Sequence, residues 1–543
     1  MDVFIKIIVF FLLFFIPFAF AGAVPWGFSV LQGGIALCCA LLLVKRRKFL
    51  LTSATKPVLF TLTFLILFTL LQSCFPKNLL DAHVYYPISL MPLYSWEHAS
   101  LFVTYLAVAL LVSQLYISQQ EVKKLLFGVM VSSMAVALCF ACFPKGDYIF
   151  YWAGIRSGIG PFLNRNHAAL FFVLGAISTL GLFFSAQLHS HKLISPREKQ
   201  SSYIRRICLL AVFLSLCTAT VMTRSRGGML SLLAGLFSYA FLCAWAVPHQ
   251  LKKRLRGIFL TLALLVVVTG FVYTHVKDIN VFSRRATGTS TQTRKMLYRA
   301  ANRILSDYPI WGIGVGAMPV VITSYTDRSI DRYIERLHSD WLEIVLGVGY
   351  IGSIPIALGL FWYIGVVLKR LKRLEMRKQL LLATVLSGLL AMGAGSLVDF
   401  HFFIPANAFT FFIFLGITCA PTYAKHHIRE VTLSGWKKGS VLVVLVVALY
   451  IPTQKTISWR SVSFGKNLKA PARLIYYEKA LAVYPSHRNA VRVGNACLNA
   501  IQYAETPQER EQLRRRALEV ATTYLKRYPR EKELSLVYAR CRK

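Results

Sequence analysis

Apolar runs of about 18 or more residues recur along this chain, each long enough to cross a bilayer as a helix. In lipid only helices and closed barrels satisfy every backbone N–H and C=O, and the period-two alternation of a membrane barrel is absent. The pattern predicts an all-α polytopic membrane protein. Its runs are Phe4–Ala21, Trp26–Val44, Pro57–Cys74, Leu101–Ile117, Leu125–Phe143, Ala168–Ala186, Ile207–Thr223, Met229–Val247, Ile258–His275, Leu342–Leu368, Leu380–Val398, Ala406–Tyr423 and Val441–Pro452, about 13 transmembrane helices. The first has an Ala19-Phe20-Ala21 end compatible with signal-peptidase cleavage, but is read as an uncleaved helix.

Charge orients these helices. The net charge of +39 would ordinarily point to nucleic acid, but the basic residues are spread over loops flanking the membrane. Nucleic acid is not an expected partner; membrane lipids are. Clusters at Lys45–Lys48, Lys252–Arg256 and Lys369–Arg373 mark the cytoplasmic side, so the loop 276–341 and everything after Lys455 fall outside. The expected division is a transmembrane domain over 1–455 and an extracytoplasmic helical domain over 456–543. That tail is polar and punctuated by Pro485, Pro507 and Pro529. It reads as a helical-hairpin module resembling tetratricopeptide units, serving as a scaffold or as a dock for a protein partner. Most of the 11 cysteines lie inside apolar runs, where Cys packs as a small hydrophobe.

The chemistry concentrates where arginines stand on the side that should lack them. Arg224 and Arg226 end one run and open the next, beside Gly227 and Gly228, which leave the backbone open to a ligand. Their alternative is interfacial snorkelling. Arg294 and Arg299 lie in the central loop, and guanidinium forks suit phosphate oxygens. His338 precedes Asp340 and Glu343, an N-cap and N3 pair that would start a helix and hold the imidazole at its mouth. An imidazole there suits proton abstraction from a hydroxyl, although a lone interfacial His is more often structural. Gly349 and Gly352, on one face of that helix, would permit close helix approach.

Together, Ser225-Arg226-Gly227-Gly228, Arg294 before Asp307-Tyr308-Pro309, Gly312-Ile313-Gly314-Val315-Gly316, and His338 with Gly349 and Gly352 resemble the O-antigen ligase and polymerase superfamily. Gly160 to His167 and Val398 to His401, continuing to Ala408, are similar to segments of its larger members. Ser339 stands where that family often has Asn, and Tyr298 where a Trp is common.

The resemblance implies a metal-independent glycan transferase, with no cofactor, at the outer face of the cytoplasmic (inner) membrane. The donor would be an oligosaccharide or polysaccharide on undecaprenyl pyrophosphate; the acceptor would be a glycan, lipid or protein. Carried over by motif, His338 activates the acceptor hydroxyl and Arg226 and Arg294 hold the pyrophosphate. Arg224, Arg299, Arg165, His167 and Asp399 join them as substrate-binding candidates. No Asp, Glu and His grouping has the spacing of a metal site. The rival readings are a lipid-linked sugar transporter, for which the expected internal repeats are not found, and a non-enzymatic scaffold of a polysaccharide assembly complex.

Overall fold

In a computed structural model, the structure describes residues 1–76, 86–143, 159–190, 195–246, 289–326, 334–424, 428–527 and 532–542. Its helices are α1 (Asp2–Phe18), α2 (Pro25–Lys45), α3 (Thr55–Cys74), α4 (Pro92–Leu115), α5 (Gln119–Cys142), α6 (Arg165–Ser190), α7 (Pro196–Met222), α8 (Arg226–Ala246), α9 (Thr289–Asp307), α10 (Met318–Val321), α11 (Asp340–Arg373), α12 (Met376–Gly395), α13 (Pro405–Thr418), α14 (Gly435–Gly465), α15 (Ala470–Val483), α16 (His487–Ala500), α17 (Pro507–Arg527) and α18 (Lys532–Arg542). Among the described residues, 10 helices are long and apolar enough to cross a membrane: α2 to α8, α11, α12 and α14. This is compatible with a multi-pass membrane protein.

Three of the expected spans stand apart. The run Ile258–His275 lies outside the described residues. Helix α1 has 17 residues, and α13 is an apolar helix of only 14, because Pro405 starts it late and a 3-10 turn at Pro421–Tyr423 follows its end. Both are packed into the core instead of standing in lipid alone.

Helix α6 is the centre of the bundle, with 94% of its apolar window buried. It packs against α5, α7, α8 and α12. Close approach needs small residues: a Cβ at Gly181 would sit 2.1 Å from Thr384 Oγ1 on α12. Several cations near the ends of the helices are tied to other helices. Arg46 donates to Asp2 (3.1 Å) and to the Gln114 carbonyl (2.8 Å), Arg370 donates to the Thr418 carbonyl (2.8 Å), and Lys6 pairs with Glu121. A two-stranded antiparallel ribbon is also present, β1 (Lys48–Thr52) pairing with β2 (Ile428–Thr432).

Helix α14 runs through residue 456 without a break, carrying the chain from the bundle into α15–α18. Those four helices enclose their own apolar core of Leu481, Val493, Cys497, Ala517, Val520, Leu534 and Val537. The module is joined to the bundle by Tyr484, which bonds Glu97 on α4 beside Lys455 of α14, and by Arg488, which pairs with Glu335. It therefore sits at the end of the bundle that carries His338.

Candidate active site

The starts of α6, α8 and α11 meet at the turn Ser396–Ile404 that links α12 to α13. Asn166, one residue into α6, donates its side-chain amide to Asp399. The Asp340 N–H at the start of α11 donates to the Ser396 carbonyl (3.0 Å), and a Cβ at Gly227 in α8 would lie 3.3 Å from Val398. Helix N-termini carry unsatisfied N–H groups and partial positive charge, so three converging there favour an anion. Helix α9 closes the arrangement from the side, bringing Arg294 and Tyr298, one turn apart and so on the same face.

His338 is held at three points. Its backbone is left-handed, φ +57°, a conformation uncommon outside glycine and one to which His is among the better suited residues. Its carbonyl accepts the Tyr298 hydroxyl (3.0 Å), and its Nδ1 lies 2.9 Å from Asp399 Oδ1. Phe400 packs near the ring, with centroids 5.3 Å apart. A carboxylate on Nδ1 favours the tautomer with the proton there, leaving the Nε2 lone pair as the basic atom. The side chain is 32% exposed, so a reactant has access to it.

Asp399 is 1% exposed and fully engaged. Oδ1 also accepts the Phe400 N–H (3.0 Å), while Oδ2 faces Asn166 and, at 3.8 Å, Arg294 Nη2. Burial alone would raise its pKa. The His338 hydrogen bond and the nearby His167 and His401 rings outweigh that and hold the carboxyl well below the usual range. It stays an anion, oriented by protein groups.

Two expectations about the start of α11 are corrected. The N-cap is Ser339, whose hydroxyl accepts the Leu342 N–H (3.4 Å). Asp340 is the first helical residue and instead accepts the His401 (2.6 Å) and Phe402 (3.1 Å) N–H groups, while Glu343 pairs with Arg336. The acids that looked like a capping box thus tie α11 to two other segments. Gly349 is not a helix-contact residue either: with φ +66° it breaks α11. Into the break fits the glycine-rich segment. Ile313 and Gly314 donate to the Leu346 and Gly347 carbonyls (2.9 and 3.0 Å), and Tyr350 and Ile351 donate to those of Pro309 and Ile310 (2.8 and 3.1 Å). A Cβ on Gly312 would fall 2.5 Å from Gly349 N. Irregular backbone in a membrane helix is tolerated where it is paired and buried in protein, as here.

The other candidates divide. Arg226 opens α8 and is exposed, as are Arg165 at the start of α6 and Arg299 on α9. Arg224 precedes α8 with φ +54° and is partly buried. His167 lies behind the site at 4% exposure, its ring 4.6 Å from Phe400 and 5.5 Å from His401. Gly228 serves packing and is not open to a ligand, since a Cβ there would lie 2.4 Å from Ala169 Cβ on α6. Sequence reasoning left out Asn166, and treated Tyr298 only as a departure from a pattern. The i, i+4 spacing of Arg294 and Tyr298 was the available signal for the second; Asn166 had none beyond adjacency to His167.

Residues 210–357, about a quarter of the chain, match the family model described as O-antigen ligase. The match contains Arg226, Arg294 and His338 but stops short of Asp399. No curated protein matches the chain.

Proposed function

We propose that this chain, of which residues 210–357 match the family model described as O-antigen ligase, moves an oligosaccharide or polysaccharide from undecaprenyl pyrophosphate to an acceptor hydroxyl. The reaction takes place at the outer face of the cytoplasmic membrane. The observation that carries this reading is the His338–Asp399 pair, 2.9 Å apart, with Arg294 Nη2 3.8 Å from the same carboxylate.

In this reading Nε2 of His338 takes the acceptor's proton as its oxygen attacks the anomeric carbon of the donor. The bond from that carbon to the pyrophosphate oxygen breaks, and the electron pair leaves with the pyrophosphate. Arg226 and Arg294 neutralise the charge that develops there, with the N-termini of α6 and α8 adding their dipoles. Arg294 is 35% exposed and only loosely placed against Asp399, so it is free to turn toward the donor. Asp399 touches neither substrate. It positions His338 and stabilises the imidazolium once formed, the part that a buried carboxylate plays beside a catalytic histidine elsewhere. Arg165, Arg224 and Arg299 extend the cationic rim for the remainder of an anionic donor.

Transfer from a purified lipid-linked donor to its acceptor, by the chain in nanodiscs, tests this. His338→Ala retains donor binding and loses about 10²–10⁴-fold in turnover. Arg226→Lys and Arg294→Lys rescue poorly, because an ammonium lacks the bidentate fork. Transfer survives EDTA. Near-normal transfer by His338→Ala, or EDTA inhibition reversed by Mg²⁺, overturns the mechanism.

A further inference from the structure

The extended segment Ile334–His338 has a second functional-looking neighbourhood two residues before the base. Arg336 stacks its guanidinium on Phe403, 3.7 Å from the ring centroid, and pairs with Glu343. Its Nη1 also lies 3.4 Å from His98 Nε2, whereas its Nε and Nη2 have no protein partner among the described residues. Arg336 lines a cavity of about 140 Å³ together with Phe28, Glu97, His98, Phe403 and Lys455. The walls come from α2, α4, α14 and the start of α13, and α2, α4 and α14 contribute nothing to the Asp399 cluster.

The lining is unusual for a structural void. Empty cavities that persist in folded proteins are apolar, whereas this one presents a carboxylate, an ammonium and an uncommitted guanidinium edge. Glu97 accepts from Lys455 and from the Tyr484 hydroxyl (2.9 Å), which fixes the carboxylate but leaves it lone pairs to spare. Acceptors, donors and the apolar side chains of Phe28, Leu101 and Pro405 in one pocket match a sugar ring, whose rim is hydroxyl and whose faces are C–H. An engineered cavity of about 150 Å³ in another protein holds one benzene ring, so this one takes the six-membered ring of a single sugar with its substituents projecting through the opening at the exposed Ala23.

We propose that this cavity is the subsite for one pyranose ring of the acceptor. Arg336 Nε and Nη2 bond either a vicinal pair of ring hydroxyls or the carboxylate of a uronic acid, and Glu97 accepts a further hydroxyl. The assignment rests on the reading of the chain as a glycan transferase. It adds that the acceptor approaches His338 from the α2–α4–α14 side, opposite in composition to the arginine-rich side given to the donor.

The test is saturation-transfer NMR on the full chain in nanodiscs, with methyl hexopyranosides and a methyl hexuronide as probes. At least one probe receives saturation on its ring protons. Ala23→Trp, which fills the cavity from an exposed lining position, abolishes the signal, and Glu97→Gln, which keeps the shape, weakens binding about tenfold. His338→Ala leaves the probe bound. A strong uronide preference assigns the Arg336 edge to a carboxylate; equal signals assign it to hydroxyls. No signal in the wild type, or a signal that survives Ala23→Trp, overturns the subsite. Either result leaves the transferase reading standing as long as His338→Ala loses turnover. Retained turnover in His338→Ala sinks that reading whatever the probes do.

Discussion

Two polar regions sit at the same end of the helical bundle, and they handle charge in opposite ways. Around the cavity, carboxylates and cations match one to one: Glu97 with Lys455, Glu343 with Arg336. Around His338, Asp399 faces Arg294 directly, and the exposed Arg226, Arg165 and Arg299, at or near the helices that build the site, have no ion pair among the described residues. A balanced set of charges holds structure and suits a neutral or amphiphilic ligand. An unbalanced one leaves a positive field at the surface, which draws an anionic ligand. The difference separates what the two regions are for more sharply than either motif does.

The largest expected effect removes the one anion from the unbalanced side. Asp399→Asn keeps the shape but no longer favours the tautomer with the proton on Nδ1, and transfer falls on the order of 10³–10⁴-fold while donor binding persists. A role in the fold alone would weaken donor binding along with turnover.

Breaking the balanced side acts on stability instead. Arg336→Leu leaves Glu343, 4% exposed, without its partner and destabilises by about 3–5 kcal/mol, read as a drop in the thermal unfolding midpoint in nanodiscs. An unchanged midpoint would mean the two regions do not differ in kind.

Acid should weaken the site more gradually. Burial, only partly offset by Asp399, holds His401 down at about 4 against an ordinary 6.5. Its neutral form belongs to the fold, and unfolding lets it take up a proton. The stability it contributes is therefore complete above pH 6.5 and is lost as pH falls from there toward 4, up to about 3 kcal/mol. Depressed Asp399 adds a loss only below the ordinary carboxylate range. Midpoints across pH 4–7 check this, and His401→Gln should flatten the slope. The smallest effect belongs to Arg488→Ala, whose exposed pair with Glu335 is worth roughly 0.2–1 kcal/mol. A larger loss would mean that the C-terminal module does more than rest against the segment carrying His338.

Much of this was legible in the residues because periodicity and charge act locally. Run length gave most of the helices, 10 of them long and apolar enough to cross a membrane among the described residues. What escaped depends on partners far apart in sequence. Nothing local says that Lys48–Thr52 pairs with Ile428–Thr432. Asp340 and Glu343 had the spacing of a capping box, but both were taken by distant groups, the His401 and Phe402 amides and Arg336, so the hydroxyl of Ser339 took the cap. Asp399 read as a substrate contact because its burial is set by α6, α9 and α11 together. Arg336 passed unnoticed in a loop rich in arginine, where nothing in the sequence singles out the one that stacks on Phe403.

The break in α11 has a dimensional consequence. The stub Asp340–Val348 is fastened at one end by the turn carrying Asp399 and at the other by the ladder to Pro309–Gly314. At 1.5 Å per residue it spans about 13 Å, so it works as a ruler that fixes how far His338 stands from the point where the helix breaks. One added residue would lift the base by about 1.5 Å and swing it by about 100°, away from Asp399. On the proposed function, the height at which a glycan changes hands would then be written in the number of residues in that stub, not in any one of them.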